Sequence, residues 1–475
     1  EFHKAMYQPK NMCLVLTGEV DHEDLLHILD NFEETILHEV PKLDDPFKRP
    51  WVDSKPTPPL KETTVEKVNF PEEDESMGEI LVGFLGPSCN DHIASAAVGV
   101  LLNYMCGSSI SVMENTLVEK EQLCSAVYYS TDFRPSLTIW FALSAVETDQ
   151  LESVEKRLFK LLKDVAAKEF DMAYMQDCIN RWRRQILLKC ENAGEFFSDP
   201  IIEDHLFGRR DGKDLKELAT IKELDVLQGW TDRQWRDFLS KWLSDAHHVS
   251  ILGVPSKELS DKVTNDEKAR VEEQRKKLGE KGLKELEEKL AAAKAENDKP
   301  IPDSVLEQFP VPSTDSVHFI PTVTARSGAA RKMGKLDNSI QKLIDQDDND
   351  SPLFIHFEHI PSNFVRIKVE MCTKAVPVEL KPLLTLYMMN FFTSPVNKDG
   401  KRVEFEDVVL ELERDTVDYG IRSNHANPEM INISFCTEPE SYQKIIGWIR
   451  TLFFDAINDP VRLHASLTKI LADIP

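Results

Sequence analysis

The sequence predicts an α+β protein built from repeated domains of mostly antiparallel sheet with helices packed on one face. A charged helical hairpin joins two halves. Three observations carry this prediction. First, the chain repeats itself. The segment FHKAMYQPKNMCLVLTGEVDHEDL parallels FLSKWLSDAHHVSILGVPSKEL, each a helix end, a polar pair, a strand, a turn and an acidic helix start. Likewise EILVGFLGPSCNDHIASAAVGVLLNYM parallels FVRIKVEMCTKAVPVELKPLLTLYMMNFF, each a strand, a turn and a long apolar helix. Second, short alternating or apolar runs recur between amphipathic stretches, the pattern of strands interleaved with helices. Third, Asp261 to Lys299 is dense in both signs of charge and carries only thin apolar stripes, Val271 with Leu278 and Leu283 with Leu286 and Leu290. Gly279 and Gly282 bracket a Glu-Lys pair between them, which suits a tight turn between two antiparallel helices.

Taken in order, Phe2 to Tyr7 reads as a helix end, and Asn11 to Leu16 as a short apolar strand closed by Thr17 and Gly18. His22 to Leu37 is an amphipathic helix with Leu25, Leu26, Ile28, Leu29 and Phe32 gathered on one side. Residues 1–45 therefore read as the tail of a first α+β domain, and the proline-rich residues 46–60 as a surface linker. Residues 61–260 form a second α+β domain. Its expected elements are a strand at Glu79 to Leu85, a helix at Asp91 to Tyr104 and a second helix at Ile110 to Glu121. A strand at Leu137 to Ala145 and helices at Asp149 to Ala167 and Asp171 to Lys189 follow. Thr231 and Gln234 form a capping box ahead of the stripe Trp235, Phe238, Leu239, Trp242 and Leu243. His248 to Val254 closes the domain as a strand. Residues 261–320 hold the hairpin and a proline-rich strip, and 321–350 a flexible segment. Residues 351–475 are the front of a third α+β domain. Its strands are Leu353 to His359 and Phe364 to Met371, followed by a helix at Val376 to Phe392. The chain thus reads as a fragment, opening and closing inside domains.

Composition narrows the partners. The net charge of −25 and the pI near 5.0 argue against nucleic acid or an anionic membrane surface. No apolar run of about 18 residues is present, so no membrane-spanning helix is expected. Eight cysteines are scattered without a CxxC pair, as buried thiols in a reducing compartment would be. An intracellular location follows, cytoplasmic or in the mitochondrial matrix.

The thirteen histidines yield no metal motif. His22 and His27 stand i, i+5, about 140° apart on a helix, whereas a shared ion needs i, i+4, about 40° apart. His356 and Glu358 face one side of a strand and His359 the other, and the adjacent His247 and His248 diverge in the same way. Gly107, Ser108 and Ser109 precede a helix. They could receive an anion there, although capping of the helix is the commoner use of such serines. No catalytic, metal-binding or substrate-binding residue is assigned.

The segment Phe2 to Leu29 resembles the end of the first domain in pitrilysin-type zinc metallopeptidases, the family of insulin-degrading enzyme. LLNYMCGSSISVMENTLVEKEQLCSAVYYS resembles that family's second-domain segment. Val271 to Lys299 followed by PIPDSVLEQFPVP resembles the linker of the presequence-protease subgroup. The resemblance implies a clamshell whose halves enclose unfolded peptides, with zinc and its HxxEH ligands in the full-length parent. This chain contains no HxxEH, so the resemblance implies a piece that binds no zinc and is inactive alone. That piece would supply chamber wall and inter-half linker beside the parent's own N- and C-terminal domains. Unfolded peptides are the expected partners. The alternative is a non-catalytic scaffold or processing-peptidase-like core subunit of the same fold. A coiled-coil adaptor is disfavoured by the thin hairpin stripe.

Overall fold

Strands rich in β-branched and aromatic residues pair into sheets, and amphipathic helices cover one face of each sheet. The computed structural model describes residues 2–3, 7, 12–18, 20–39, 57–208, 213, 215, 221–308, 311, 313–315, 319, 321–347, 351–424 and 426–472. Most of the expected 46–60 linker lies outside these. The elements run α1 (His22–Glu39), β1 (Thr64–Pro71), β2 (Met77–Ser88), α2 (His92–Cys106), a π-helix (Glu114–Lys120), β3 (Ala126–Asp132) and β4 (Ser136–Glu147). Then come α3 (Leu151–Ala167), α4 (Met172–Cys190), α5 (Ala193–Phe207), α6 (Ile221–Gln228), α7 (Asp232–Leu239) and β5 (His248–Ser256). After these follow α8 (Lys257–Asn297), α9 (Asp303–Leu306), β6 (Val323–Gly328), α10 (Ser339–Ile344), β7 (Phe354–His359) and β8 (Val365–Cys372). The last are α11 (Leu383–Asn390), β9 (Val396–Lys398), β10 (Lys401–Val403), α12 (Phe405–Asp415), β11 (Asp418–Ser423), β12 (Met430–Thr437), α13 (Tyr442–Phe454) and α14 (Pro460–Ala472).

The chain divides into two units. One comprises Glu1–Asp261 with Phe364–Pro475, the other Lys262–Asn363. The first unit holds two copies of one fold. In the first copy the sheet order is β1-β5-β2-β4-β3, antiparallel except where β1 meets β5. Its core gathers Ile80, Val82, Phe84, Phe141, Leu158 and Trp235, all at most 1% exposed. In the second copy the order is β11-β12-β8, over a core of Ile433, Phe435, Ile445 and Trp448. The copies correspond at matched positions on three strands and two helices. The cross-strand row Val82, Phe141, Tyr129 recurs as Ile367, Phe435, Tyr419. Asn103 donates to the Gly99 carbonyl at 3.0 Å, and Asn390 to the Leu386 carbonyl at 2.9 Å. Asp171 caps α4 and Asp459 caps α14 with the same two-amide grip.

Several expectations change. Asn11 to Leu16 was expected as a strand, yet Met12 to Leu16 pair with nothing among the described residues, and Met12, Leu14 and Leu16 lie open to solvent. The helix expected over Val376 to Phe392 begins only at Leu383. Pro377 and Pro382 lack the amide hydrogens a longer helix requires, so a 3-10 turn at Val378–Leu380 precedes it. The helix expected over Ile110 to Glu121 is instead the π-helix Glu114–Lys120.

In the second unit, the segment expected to be flexible at 321–350 contains β6, a 3-10 turn at Ala329–Met333 and α10. Gln341 organises it, taking the Arg326 amide at 2.8 Å and giving to the Arg326 carbonyl at 2.9 Å. β7 pairs with β6. The charged stretch is helical on both sides of one break. The break lies at Gly279 alone, with φ 61° and ψ −178°, while Gly282 is helical. Its apolar residues Val271, Leu283, Leu286 and Leu290 are exposed. No described helix is long and apolar enough to cross a membrane.

Candidate functional site

The two copies of the first unit meet along a seam of buried charge, and a cleft of about 360 Å³ opens beside it. Cys106, Gly107, Ser108, Ser109, Glu114 and Val127 to Tyr129 line the cleft. α2 ends at Gly107, where a Cβ would sit 2.7 Å from the Asn103 carbonyl oxygen, so only glycine lets the chain turn this closely. The Ser108 amide then donates to Ser111 Oγ at 2.7 Å, the Ile110 amide to Ser108 Oγ at 3.3 Å, and Ser111 Oγ to the Asn103 carbonyl at 3.2 Å. These donors are spent inside the turn. The serines build the turn that leads into the following helix, and the Ser108, Ile110 and Ser111 amides are engaged within it.

The π-helix follows. The Glu121 amide reaches back five residues to the Thr116 carbonyl, and Gln122 sits at φ 52°. A wide turn followed by a left-handed residue is rare backbone of the kind that gathers at functional sites. It turns two glutamates inward. Glu114 Oε1 accepts from the Val127 amide of β3 at 3.0 Å. Burial pushes its carboxyl up to about 7, against the downward pull of that amide and of Lys469. Glu119 crosses the seam, bonding Arg462 of α14 and Lys469 Nζ, the latter at 2.7 Å. Its side chain is 7% exposed.

A reciprocal contact comes from the other copy. Glu413 of α12 reaches Arg181 of α4 at 2.9 Å and is 5% exposed. Burial raises its carboxyl, with Arg181 pulling it down. Arg184 donates to the carbonyls of Glu413 and Thr416, and Arg414 pairs with Asp177 at 2.6 Å. Arg181 stands ten residues after the cap Asp171, and Lys469 ten after the cap Asp459. Each copy thus offers a base from equivalent helix positions to the other copy's glutamate. Around the seam, burial raises Tyr174, Tyr419 and Cys178, the thiol to about 12. A thiol held that high is no nucleophile. The cleft offers one carboxyl that exchanges a proton near neutrality, hydroxyls, and the edge strand β3.

Sequence reasoning found the Ser108 turn but missed Glu114, Glu119, Arg181, Glu413, Arg462 and Lys469. The matched spacing from each cap aspartate to its basic residue is the signal that finds two of them. The histidines lie elsewhere. His356 Nε2 meets Glu358 Oε1 at 2.7 Å on β7, as strand alternation requires, and His27 lies beside Asn31 on α1. His248 stacks on Phe159 with ring centroids 3.8 Å apart, in a second cavity of about 820 Å³ lined also by Lys156, Lys160 and Lys163. Burial holds His248 below its ordinary range. Among the described residues no group of three or more His, Cys, Asp or Glu is placed to hold a metal ion.

Comparison with known proteins gives this geometry a setting. Residues 1–181 match the family model of the peptidase M16 inactive domain. The whole chain is 29% identical to an uncharacterized protein of Schizosaccharomyces pombe and 26% identical to ones from Saccharomyces cerevisiae and Caenorhabditis elegans. It covers 47% of each of these relatives, so it spans about half their length. Among solved structures, a protease from Helicobacter pylori matches 54% of this chain and 58% of its own at 14% identity, with a TM-score of 0.43. A peptidase M16 inactive domain from Pseudomonas fluorescens matches 41% of this chain and 44% of its own at 17% identity, with a TM-score of 0.31. The M16 match covers the second α+β domain as far as α4, and so includes the π-helix and the cleft.

Proposed function

We propose that this chain is the non-catalytic wall of a zinc-dependent endopeptidase of the M16 type, one that encloses unfolded peptides in a chamber. The match of residues 1–181 to the inactive domain of that family carries the reading. In it the zinc, its ligands and the water-activating base belong to another part of the parent. The parent is of the presequence-protease-like subgroup, and α8 is the strap between its halves. The cleft supports a role in holding substrate. β3 is an edge strand whose residues Val127 to Tyr129 line the cleft, so an extended peptide can add to it beyond the Val127 amide that Glu114 already holds. Glu114 stands there to meet a basic group of the peptide.

Fluorescence anisotropy with a labelled unfolded peptide tests this, with the mixture then read by mass spectrometry. The expected result is saturable binding, weakened about tenfold by Glu114→Gln, and no cleavage with or without added zinc. Cleavage by the pure chain, or binding indifferent to Glu114→Gln, refutes the proposal.

A further inference from the structure

The π-helix joins the cleft to the seam. Its first residue, Glu114, accepts from the Val127 amide of β3 at 3.0 Å, within the first copy. Near its other end, Glu119 bonds Arg462 and Lys469 of α14, in the second copy. Residues five apart diverge by about 140° on an α-helix. The i→i+5 bonding of a π-helix brings them nearly into line, so both glutamates leave one side of this turn. Lys469 acts on both, since it pulls the Glu114 carboxyl down while it bonds Glu119.

Apolar packing does not by itself demand the wide turn. Met113 and Leu117, both fully buried, stand four apart and would share a face of an α-helix as well. Val118 and Glu119 gain their inward places from the extra width. The Glu119 contact is the polar one of these and is buried, its side chain and those of Arg462 and Lys469 being 7%, 11% and 14% exposed. Breaking such a contact leaves buried charge without compensation, so the winding and the seam bond support each other. Glu119 does not itself line the cleft. What it controls there, it controls through Glu114.

We infer that Glu119 is a positioning residue for the cleft: its bond to α14 selects the π winding, and that winding aims Glu114 at β3. Without the bond the turn relaxes toward an α-helix, and Glu114 swings off the Val127 amide. The second copy thus sets the chemistry of a cleft lined by the first. Under the peptide-binding reading proposed above, on which the affinity measurement rests, seam and cleft are linked. Docking of the copies favours a bound peptide, and the peptide favours docking by the same factor.

Hydrogen exchange resolved to the Val127 amide is the first measurement, because Glu114 holds that amide. In Glu119→Gln it should exchange about tenfold faster, while β2 and β4 keep the rates of the parent chain. The second is peptide affinity by fluorescence anisotropy. Glu119→Gln should weaken it about tenfold, the loss expected of Glu114→Gln, and the double variant should lose no more than either alone. If Glu119→Gln unfolds the chain, as read by circular dichroism, Glu119→Gln with Lys469→Met removes the carboxylate together with one of its two cations, and the same measurements decide. Unchanged exchange at Val127 overturns the inference. So does acceleration shared equally by β2 and β4, which marks general loosening, or an additive loss in the double variant. A chain that binds no peptide but shows the exchange result refutes the peptide reading and leaves the inference standing.

Discussion

Replacing Arg181 with Met tests the seam most directly. The Glu413 carboxylate it meets at 2.9 Å is 5% exposed, and Arg184 binds main-chain carbonyls nearby rather than that carboxylate. Removing one partner of a buried pair costs about 3–5 kcal/mol, because the other charge is left without compensation. Glu413 can escape part of this by taking a proton, since burial already raises its carboxyl. The lower figure of about 3 kcal/mol is therefore appropriate at neutral pH, equal to about a hundredfold in an opening equilibrium. Hydrogen exchange read over 172–190 and 405–415 is the assay. Amides protected by seam closure should exchange about a hundredfold faster in Arg181→Met. The penalty should shrink as pH falls and the orphaned carboxyl protonates. Arg181→Met combined with Glu413→Leu should recover most of the loss, because two apolar side chains leave no buried charge. Exchange in Arg181→Met within about threefold of the parent chain would refute the reasoning, and so would a double variant no better than the single one.

Two further outcomes follow from the same structure. A carboxyl raised by folding stabilises the fold fully below its unfolded value and loses that contribution as pH rises through its folded value. For Glu114, raised from 4.5 to about 7, the loss of about 3 kcal/mol falls between those two pH values. Thermal melts against pH should show this slope flattened in Glu114→Gln, with the variant the more stable protein at pH values above the window. Thr231→Ala removes a capping box whose two bonds are both present. It should cost about 1 kcal/mol in urea denaturation, whereas Thr231→Ser should cost much less.

Much of the local architecture was legible in the residues. The stripe Trp235, Leu239 and Leu243 is buried to 1% exposure or less, because apolar spacing at i, i+4, i+8 leaves a helix only one face to bury. The repeat was legible as strand, turn and helix. The site was not. Glu119, Glu413, Arg181 and Lys469 look like surface charges in the sequence, since a charged residue on an amphipathic helix is usually solvated. Only the docking of one copy on the other takes them out of water.

The sequence alone determined the α+β class, the repeated unit, the capping box and the helix break near Gly279. Each of these follows from periodicity or from a residue's own backbone preferences, which act over a few positions. Tertiary structure decided what depends on partners distant in the chain. It paired β7 with β6 across an intervening 3-10 turn and helix. It widened the turn after Ser111 into a π-helix that carries Glu114 into the cleft. It also raised that carboxyl to about 7, because desolvation belongs to the surroundings of a group and not to its place in the sequence.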